Sequence, residues 1–515
     1  MAAICWPPIK KSSLVQYDWA MQQDQFHPEI FEFPLADLPA GTEGIFKNFA
    51  TRSNAIFLDG CADLIGVSEL NRYSFLACDP VECLTVSTIE SFDFNSFRQL
   101  ASQFSSSQMP GLPPFQGGIA GILGYEFNSA IENIRCAKIN DFECPLAAFF
   151  VYDTIVAIDH RQGAGWIISQ GWSKTGESNP DRANERLRQF KNLVFGPRLD
   201  PSDSTAQSQN IGSTIDPQSK MIRIDDEFEL YSDFSRDEYL QMIAKAVDYI
   251  HAGDIFQVNL SQRLLTPAIQ SSSDLYISMR NHNPAPFSGY LDFGDGQLIS
   301  ASPERLILRH GMDLETRPIK GTRRRTHYPE VDLNVQNELA VSEKDRAENI
   351  MIVDLMRNDL SKVAEPDSVL VSKLCGVEQY QNVLHLVSVV KARLADEYDA
   401  IDLLKSVFPG GSITGAPKIR SMEIISELEP TARGPYCGSL GYINFDGSMD
   451  FNILIRSVTA KRGWWQVPVG GGIVADSIPE KEYEETWTKA IGMLRAIRAT
   501  QSPNASVRES AAIQQ

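Results

Sequence analysis

An α+β fold with antiparallel or mixed β-sheets is what the sequence predicts. Strand-like and helix-like segments alternate irregularly, with no strict βαβ repeat, and three segments carry helix-opening signals. The first part of the chain looks mostly extended.

Phe149-Phe150-Val151-Tyr152-Asp153-Thr154-Ile155-Val156-Ala157-Ile158 is a β-rich run, and His160-Arg161-Gln162-Gly163 has the chemistry of a turn. From Pro197 to Lys220 the chain is rich in Ser, Asp, Gln, Pro and Gly and nearly free of large apolar side chains. That predicts a flexible, solvated connector over 197–234, between a β-rich N-terminal part (1–196) and a mixed part (235–500). Residues 501–515 have the same character and are expected to be a disordered tail. In the second part, Ser235-Arg236-Asp237-Glu238 has capping-box form and opens a periodic segment, Tyr239 to Ile250, that Gly253 ends. Ser342-Glu343-Lys344-Asp345 is another such start, leading into Ile350, Val353, Asp354 and Leu355. Pro479 begins a third helix, running through Glu482, Glu485, Lys489 and Met493. No internal repeat is evident.

A chain of 515 residues with 43% hydrophobic and 22% charged residues can bury a large core without staples. Its net charge is −19, with 47 Lys plus Arg against 66 Asp plus Glu. This argues against nonspecific nucleic-acid or anionic-membrane binding, although a local basic pocket for a small anion is compatible with it. The eight cysteines are scattered, without a C-x-x-C pair or metal-like spacing, and read as reduced thiols of a cytoplasmic protein. The start, Met1-Ala2-Ala3-Ile4-Cys5-Trp6-Pro7-Pro8, has no long apolar run of a secretory signal. No stretch of about 18 uninterrupted apolar residues predicts a membrane span.

Several familiar site types are missing. There is no G-x-x-x-x-G-K-[ST] loop, no H-E-x-x-H and no G-x-S-x-G. Gly410-Gly411-Ser412-Ile413-Thr414-Gly415 superficially suggests a phosphate loop but lacks the spacing and the Lys-Ser/Thr ending. What remains is a set of polar residues in small-residue turns. Ala301-Ser302-Pro303-Glu304-Arg305 puts an acid beside a rigid turn, and Arg317-Pro318-Ile319-Lys320-Gly321-Thr322 puts a lysine between Ile and Gly. Phe408 to Lys418 is a long run of turn residues. Gly470-Gly471-Gly472 exposes successive backbone N–H groups, which can form an anion-binding concavity.

In this order, Asp354-Leu355-Met356-Arg357-Asn358-Asp359, the Phe408–Lys418 stretch and Gly470–Gly472 resemble the chorismate-utilising enzymes. That family includes anthranilate synthase component I, aminodeoxychorismate synthase component I, and the isochorismate and salicylate synthases. The resemblance covers about Ser235 to Thr500 strongly and the N-terminal part weakly, through Asn71-Arg72-Tyr73-Ser74-Phe75. It implies sheets forming a sandwich core flanked by helices. It also implies Mg²⁺ as cofactor.

Two positions choose among members. The resemblance implies that water-adding members carry a lysine general base where this chain has Gln257. Glutamine cannot abstract a proton from water, whereas ammonia is already a nucleophile, so Gln257 points to an amine-transferring member. Anthranilate synthases resemble the Arg317–Thr322 segment but have alanine at the position of Lys320, where the aminodeoxychorismate branch has lysine. The chemistry explains why. Ammonia entering at C2 of chorismate leaves nitrogen ortho to the carboxylate. If the lysine amine attacks C2 first, ammonia can attack C4 and expel the lysine, leaving nitrogen para. Lysine suits this role when its pKa, about 10.4 in water, is depressed by burial or nearby cations. Arg317 and Arg323 are the candidate cations.

The remaining roles follow by resemblance. Glu304 would be the general acid for the departing 4-hydroxyl. Glu348 and Glu485 would bind Mg²⁺, with Asp345 and Glu482, three residues upstream on the same helix faces, as outer-shell candidates. Arg456, Tyr436, Lys489 and the amides of Gly470, Gly471 and Gly472 would hold the substrate's carboxylates. Thr322, His385 and Thr414 would line the ring pocket. Ordinary readings stand beside these. Glu485 and Lys489 form a common i, i+4 helix pair, and Asp345 partners a helix cap. His385 lies between Leu384 and Leu386, as a satisfied core histidine does, and Arg456 follows the apolar run Asn452-Ile453-Leu454-Ile455, read as a strand. Relatives often have Thr-Arg-Pro-Arg after the glycine, whereas this chain has Thr322-Arg323-Arg324-Arg325, a change that loosens the loop expected around Lys320.

No cysteine lies in a G-x-C-x-G turn, so the resemblance implies a separate glutaminase subunit that delivers ammonia. It also implies a candidate tryptophan pocket between Arg72, Tyr73, Ser74, Phe75 and the segment Asn283-Pro284-Ala285-Pro286-Phe287. The competing functions are anthranilate synthase component I and a non-catalytic subunit that binds chorismate or tryptophan.

Overall fold

The computed structural model describes residues 27–104, 106, 108–197, 220–225, 229–326, 328–379 and 383–501. The predicted tail beyond 501 and the Ser-rich core of the predicted connector lie outside the described residues. Among the described residues no helix is long and apolar enough to cross a membrane.

Two large sheets organise the chain, as the α+β prediction holds. The first has thirteen strands. From one edge it runs through Glu29–Pro34, Ala164–Ser169, Thr154–Asp159, Tyr73–Ala77 and Ile56–Asp59. It continues through Phe287–Asp292, Gly296–Ser302, Ser457–Lys461, Trp464–Ile473 and Gln257–Pro267, and ends with Leu230–Ser232 and Ile222–Asp225, while the short Gly415–Ala416 also pairs with Gln257–Pro267. The second sheet has ten strands. Its order is Ile319–Arg324, Val383–Arg393, Asp313–Arg317, Arg305–His310, Met449–Asn452, Ser439–Asn444, Gly118–Leu123, Ala147–Tyr152 and Glu82–Val86, with Leu370–Gln379 also on Val383–Arg393. Every strand pairing within the two sheets is antiparallel.

The sheets face each other across one apolar layer, with helices on their outer faces. Ala148, Phe150 and Tyr152 point into the layer and meet Ile155, Ala157, Ile168 and Leu291 of the first sheet. The alternate residues Phe149 and Val151 point outward to Phe97, Ile352 and Leu404 on helices. A strand covered on both faces reads as a continuous apolar run, which is why Phe149–Ile158 looked like one element. It is two strands, Ala147–Tyr152 and Thr154–Asp159, in different sheets, and Asp153 marks the crossing. On the outside of the first sheet, Phe46, Phe190, Met279 and Met493 pack from four helices onto Val156, Ile158 and Val467. Each such fully buried large side chain contributes roughly 1.5–3 kcal/mol.

The three predicted helices are Arg236–His251, Glu343–Ser361 and Pro479–Gln501. Ser235 and Glu238 form the expected reciprocal capping box, and Ser342 accepts the Asp345 amide at 3.3 Å. One expectation is corrected. The stretch 197–234 is not a connector throughout, because Ile222–Asp225 and Leu230–Ser232 form strands and Leu230 is buried in the core. Both sheets also mix strands from either side of that stretch, so its composition does not mark a boundary between separate sheets.

Candidate active site

Lys320 lies on Ile319–Arg324, an edge strand rather than the turn its neighbours suggested. Lys320 pairs with Leu386 and Thr322 with His385, and the register shifts between them at Gly321. Gly321 has φ of +73°, and a Cβ there would lie 2.9 Å from both the Asp345 carboxyl and Leu339. The bulge needs glycine on both counts, and it re-aims the lysine before it. The Lys320 Nζ donates to the Ser412 carbonyl at 3.1 Å. Arg324 continues the strand opposite Val383, a register a proline in its place could not support with an N–H donor. The strand therefore runs on where loosening was expected.

Gln257 opens the strand Gln257–Pro267 and is buried, and among the described residues neither its Oε1 nor its Nε2 has a hydrogen-bond partner. It faces Gly472 on the paired strand. A Cβ at Gly472 would lie 2.2 Å from Gln257 Nε2 and 3.7 Å from Lys320 Nζ, so glycine leaves the space these two side chains share. Glu304 sits between Gly296–Ser302 and Arg305–His310, buried, with its Oε1 accepting the Ile319 amide at 3.4 Å. Burial pushes its carboxyl above the usual range, against Lys320, the Ser412 hydroxyl and Arg456. Burial likewise pushes the Lys320 amine below its ordinary value, opposed by Glu348 and Glu304 and assisted by Lys489. The pKa values of the two groups are thus driven toward each other, a perturbation of the kind that clusters at functional sites.

The cations expected to depress Lys320 are engaged elsewhere. Arg317 pairs with Glu378 at 2.7 Å and Arg323 with Asp345 at 2.9 Å, so Lys489 is the basic side chain that acts on it. Lys489 also pairs with Glu485 at 2.7 Å and donates to the Gly470 carbonyl at 2.9 Å.

Arg456 is corrected from strand to bend. The strand ends at Asn452, and Arg456 has φ of +51° before Ser457–Lys461 begins. Burial works against its charge, and Glu304 offsets it. The glycine triplet is corrected too. Gly470, Gly471 and Gly472 are extended and pair with Ser261, Leu260 and Asn259, and alternate amides of a strand face opposite edges. Three successive N–H groups therefore do not converge on one anion.

His385 and Thr322 share a hydrogen bond of 2.8 Å between Nδ1 and Oγ1. Burial, with Arg456 next, pushes the imidazole down to about 4, so it is neutral at pH 7. Thr414 is buried, and its hydroxyl donates to the Gly410 carbonyl at 3.0 Å. Tyr436 is buried in the core with the Arg433 guanidinium 6.0 Å from its ring. Among the described residues no hydrogen bond or ion pair joins it to Lys320.

Glu348 on one helix and Glu482 and Glu485 on another bring acids toward Lys320. Burial, with like-charged neighbours, raises the carboxyls of Glu348 and Glu482; Asp345 and Glu485 act on the first, Glu485 on the second. For Glu485 burial is outweighed by Lys489, and its carboxyl is held below the usual range. A Cβ at Gly471 would lie 3.5 Å from Glu482 Oε2 and 3.7 Å from Glu485 Oε1. Glu485 thus raises both Glu348 and Glu482, and a divalent cation between such carboxylates would relieve that repulsion. Among the described residues no group of three or more acids, histidines or cysteines is placed to hold a metal ion by itself. Asp345 is occupied by Ser342 at 2.6 Å and by Arg323, and Glu482 by Ser477 at 2.7 Å.

A separate cavity of about 610 Å³ lies between the sheets. Arg72, Tyr73, Phe75, Pro286 and Phe287 line it, joined by Tyr442. Ser74 instead turns to Asp59 and His160, at 3.2 and 2.8 Å, and Pro284 is not in the lining.

The residues the sequence did not single out are Ser412 as an acceptor and the buried Arg433. Ser412 was inside a segment already noted, but a backbone carbonyl leaves no signature in a sequence.

Comparison with known proteins gives a consistent result. A family model described as chorismate binding enzyme matches residues 66–495. The aminodeoxychorismate synthase component 1 of Bacillus subtilis is 36% identical over 443 residues, 84% of this chain and 90% of the relative. The anthranilate synthase component 1 of Thermus thermophilus is 40% identical over 393 residues, 76% of this chain and 80% of the relative. The crystal structure of anthranilate synthase component I from Streptococcus pneumoniae superposes with a TM-score of 0.70 at 32% identity, covering 83% of this chain and 93% of that one.

Proposed function

Because the chain belongs to the chorismate-binding enzymes, we propose that it converts chorismate and ammonia to 4-amino-4-deoxychorismate, the aminodeoxychorismate synthase component 1 reaction that precedes 4-aminobenzoate. The observation that carries this reading is Lys320 itself. It is an amine pushed below its ordinary pKa, set beside the buried acid Glu304 and the unpartnered Gln257.

Lys320 Nζ attacks C2 of chorismate. The ring double bond shifts, the C4–O bond breaks, and Glu304 gives the leaving hydroxyl its proton, so that it departs as water. Ammonia then attacks C4, the double bond shifts back, and the C2–N bond to Lys320 breaks. Glu304 takes up the proton that ammonia sheds. Gln257 cannot act as a base toward water, which leaves ammonia as the nucleophile. Arg456, Lys489 and Tyr436 hold the substrate's carboxylates, together with single amides from Gly470–Gly472. His385, Thr322 and Thr414 shape the ring pocket. Glu348 and Glu485 are the residues that would hold Mg²⁺, which would anchor the ring carboxylate when bound.

The name component 1 of the relatives supports a second subunit, read here as a glutaminase that supplies ammonia. The test is a product assay on the purified chain with chorismate, ammonium and Mg²⁺. The product becomes 4-aminobenzoate only after a lyase is added, glutamine alone does not substitute for ammonium, and chelation stops turnover until Mg²⁺ returns. Anthranilate appearing directly would identify the ortho-specific reaction instead.

The cavity lined by Phe75 and Phe287 is read as a tryptophan site, since about 610 Å³ with aromatic walls suits an amino acid of that size. Titration calorimetry with tryptophan is expected to give saturable heat, weakened roughly tenfold by Phe75→Ala, about 1.4 kcal/mol. Absence of heat at millimolar tryptophan removes this assignment.

A further inference from the structure

The segment that presents Ser412 to Lys320 has little structure of its own. It is one short 3-10 turn, Gly411–Ile413, followed by the two-residue strand Gly415–Ala416. Its shape is imposed from outside. Arg433, 6% exposed, donates from Nη1 to the Ile413 carbonyl at 3.2 Å and from Nη2 to the Asn259 carbonyl at 2.7 Å. Its Nε and Nη2 also donate to Glu429, at 2.8 and 2.7 Å. Glu429, 4% exposed, accepts in turn from the amide and hydroxyl of Ser261, at 2.8 and 2.9 Å. The Asn259 amide donates to the Thr414 carbonyl at 2.8 Å.

One planar guanidinium therefore spans three pieces of chain. These are the peptide next to Ser412, the strand that starts at Gln257, and the end of the helix Lys418–Leu428, where Glu429 is the cap. Only arginine offers donors in a rigid fork that can do this; a lysine in the same place satisfies one acceptor direction at a time. The Ile413 carbonyl satisfies a buried guanidinium donor, and the next residue back, Ser412, supplies the acceptor for the Lys320 amine.

We propose that Arg433 is a positioning residue, fixing the Ser412 peptide so that its carbonyl meets Lys320. The proposal rests on the reading of Lys320 as the group that reacts.

Arg433→Lys keeps a positive charge for Glu429 and loses the fork. The double variant Arg433→Met, Glu429→Met removes the pair without stranding a buried charge. Melting curves report folding, and turnover is counted with ammonium for any product. The ionisation of Lys320 is read directly, from the pH dependence of its reaction with an amine-directed reagent, quantified on the Lys320 peptide by mass spectrometry. A folded variant is expected to lose roughly 10–100-fold in kcat, with KM for chorismate changed less than about threefold. The Lys320 midpoint is expected to move lower, because its ammonium form loses a carbonyl acceptor. A merely loosened pocket would move it up, toward ordinary lysine. An unchanged or raised midpoint, or an unchanged kcat, overturns the proposal. Failure of both variants to fold assigns Arg433 to the framework and overturns it as well. Direct formation of anthranilate by the unaltered chain would sink the para-specific function on its own, and would leave these readouts intact.

Discussion

Lys320→Ala is expected to abolish 4-amino-4-deoxychorismate formation, a fall of roughly 10³-fold or more, or at least about 4 kcal/mol in activation free energy. The variant removes the nucleophile that brings the second displacement to C4. Without it, ammonia can only enter at C2, so any residual product is expected to be ortho. The fold is not at risk, since Lys320 is on an edge strand and its amine makes one backbone hydrogen bond. Chromatography of the reaction, with and without the lyase, reads both isomers. Full para activity in Lys320→Ala would refute covalent catalysis.

Glu304→Gln carries the second large effect, a loss of roughly 10²–10⁴ in kcat, because the amide cannot protonate the departing hydroxyl. The substitution keeps an oxygen to accept the Ile319 amide. It also alters the pH profile in a way that can be derived. The reactive form needs Lys320 neutral and Glu304 protonated. In water those pKa values are about 10.4 and 4.3, so such a form would be scarce. Burial raises Glu304 and lowers Lys320, and each unit of narrowing makes the reactive form about tenfold more abundant. The rate then rises with pH up to the Glu304 pKa, while Lys320 becomes neutral and Glu304 keeps its proton, and is level between the two pKa values, where the two changes cancel. It falls above the Lys320 pKa, where only Glu304 still titrates. With glutamine at 304 the alkaline fall should vanish, leaving a low rate that climbs through the Lys320 pKa and stays level. A bell retained in Glu304→Gln would mean that another group is the acid.

How much of this was legible depends on the range of the signal. Helix starts at Ser235 and Ser342 were readable because a cap is written within four residues. Lys320, Glu304 and Gln257 were singled out because motif positions carry them, and the fold brings Gln257 and Lys320 to the same space beside Gly472. Arg456 was misread because a left-handed bend follows from how Ala301 and Ser457 are held, not from the apolar run before it. The triple glycine was misread because the same composition serves an anion nest or a ladder, and only φ separates them. Asp153 divides one apolar run between two sheets, a fact fixed by partners far along the chain. Arg433 had no local signature at all, since what it grips is backbone.

The interleaving of the two sheets also sets an order of assembly. Ile56–Asp59 waits for Phe287–Asp292, and Gly118–Leu123 waits for Ser439–Asn444. While the chain is being synthesised from its N-terminus, the apolar edges of the first two hundred or so residues stand open until partners made much later arrive. Closure of both sheets is therefore a late, chain-wide event. Until then those unpaired strand edges stay open to other chains, and a truncation near the C-terminus is expected to cost the N-terminal strands as well as the site.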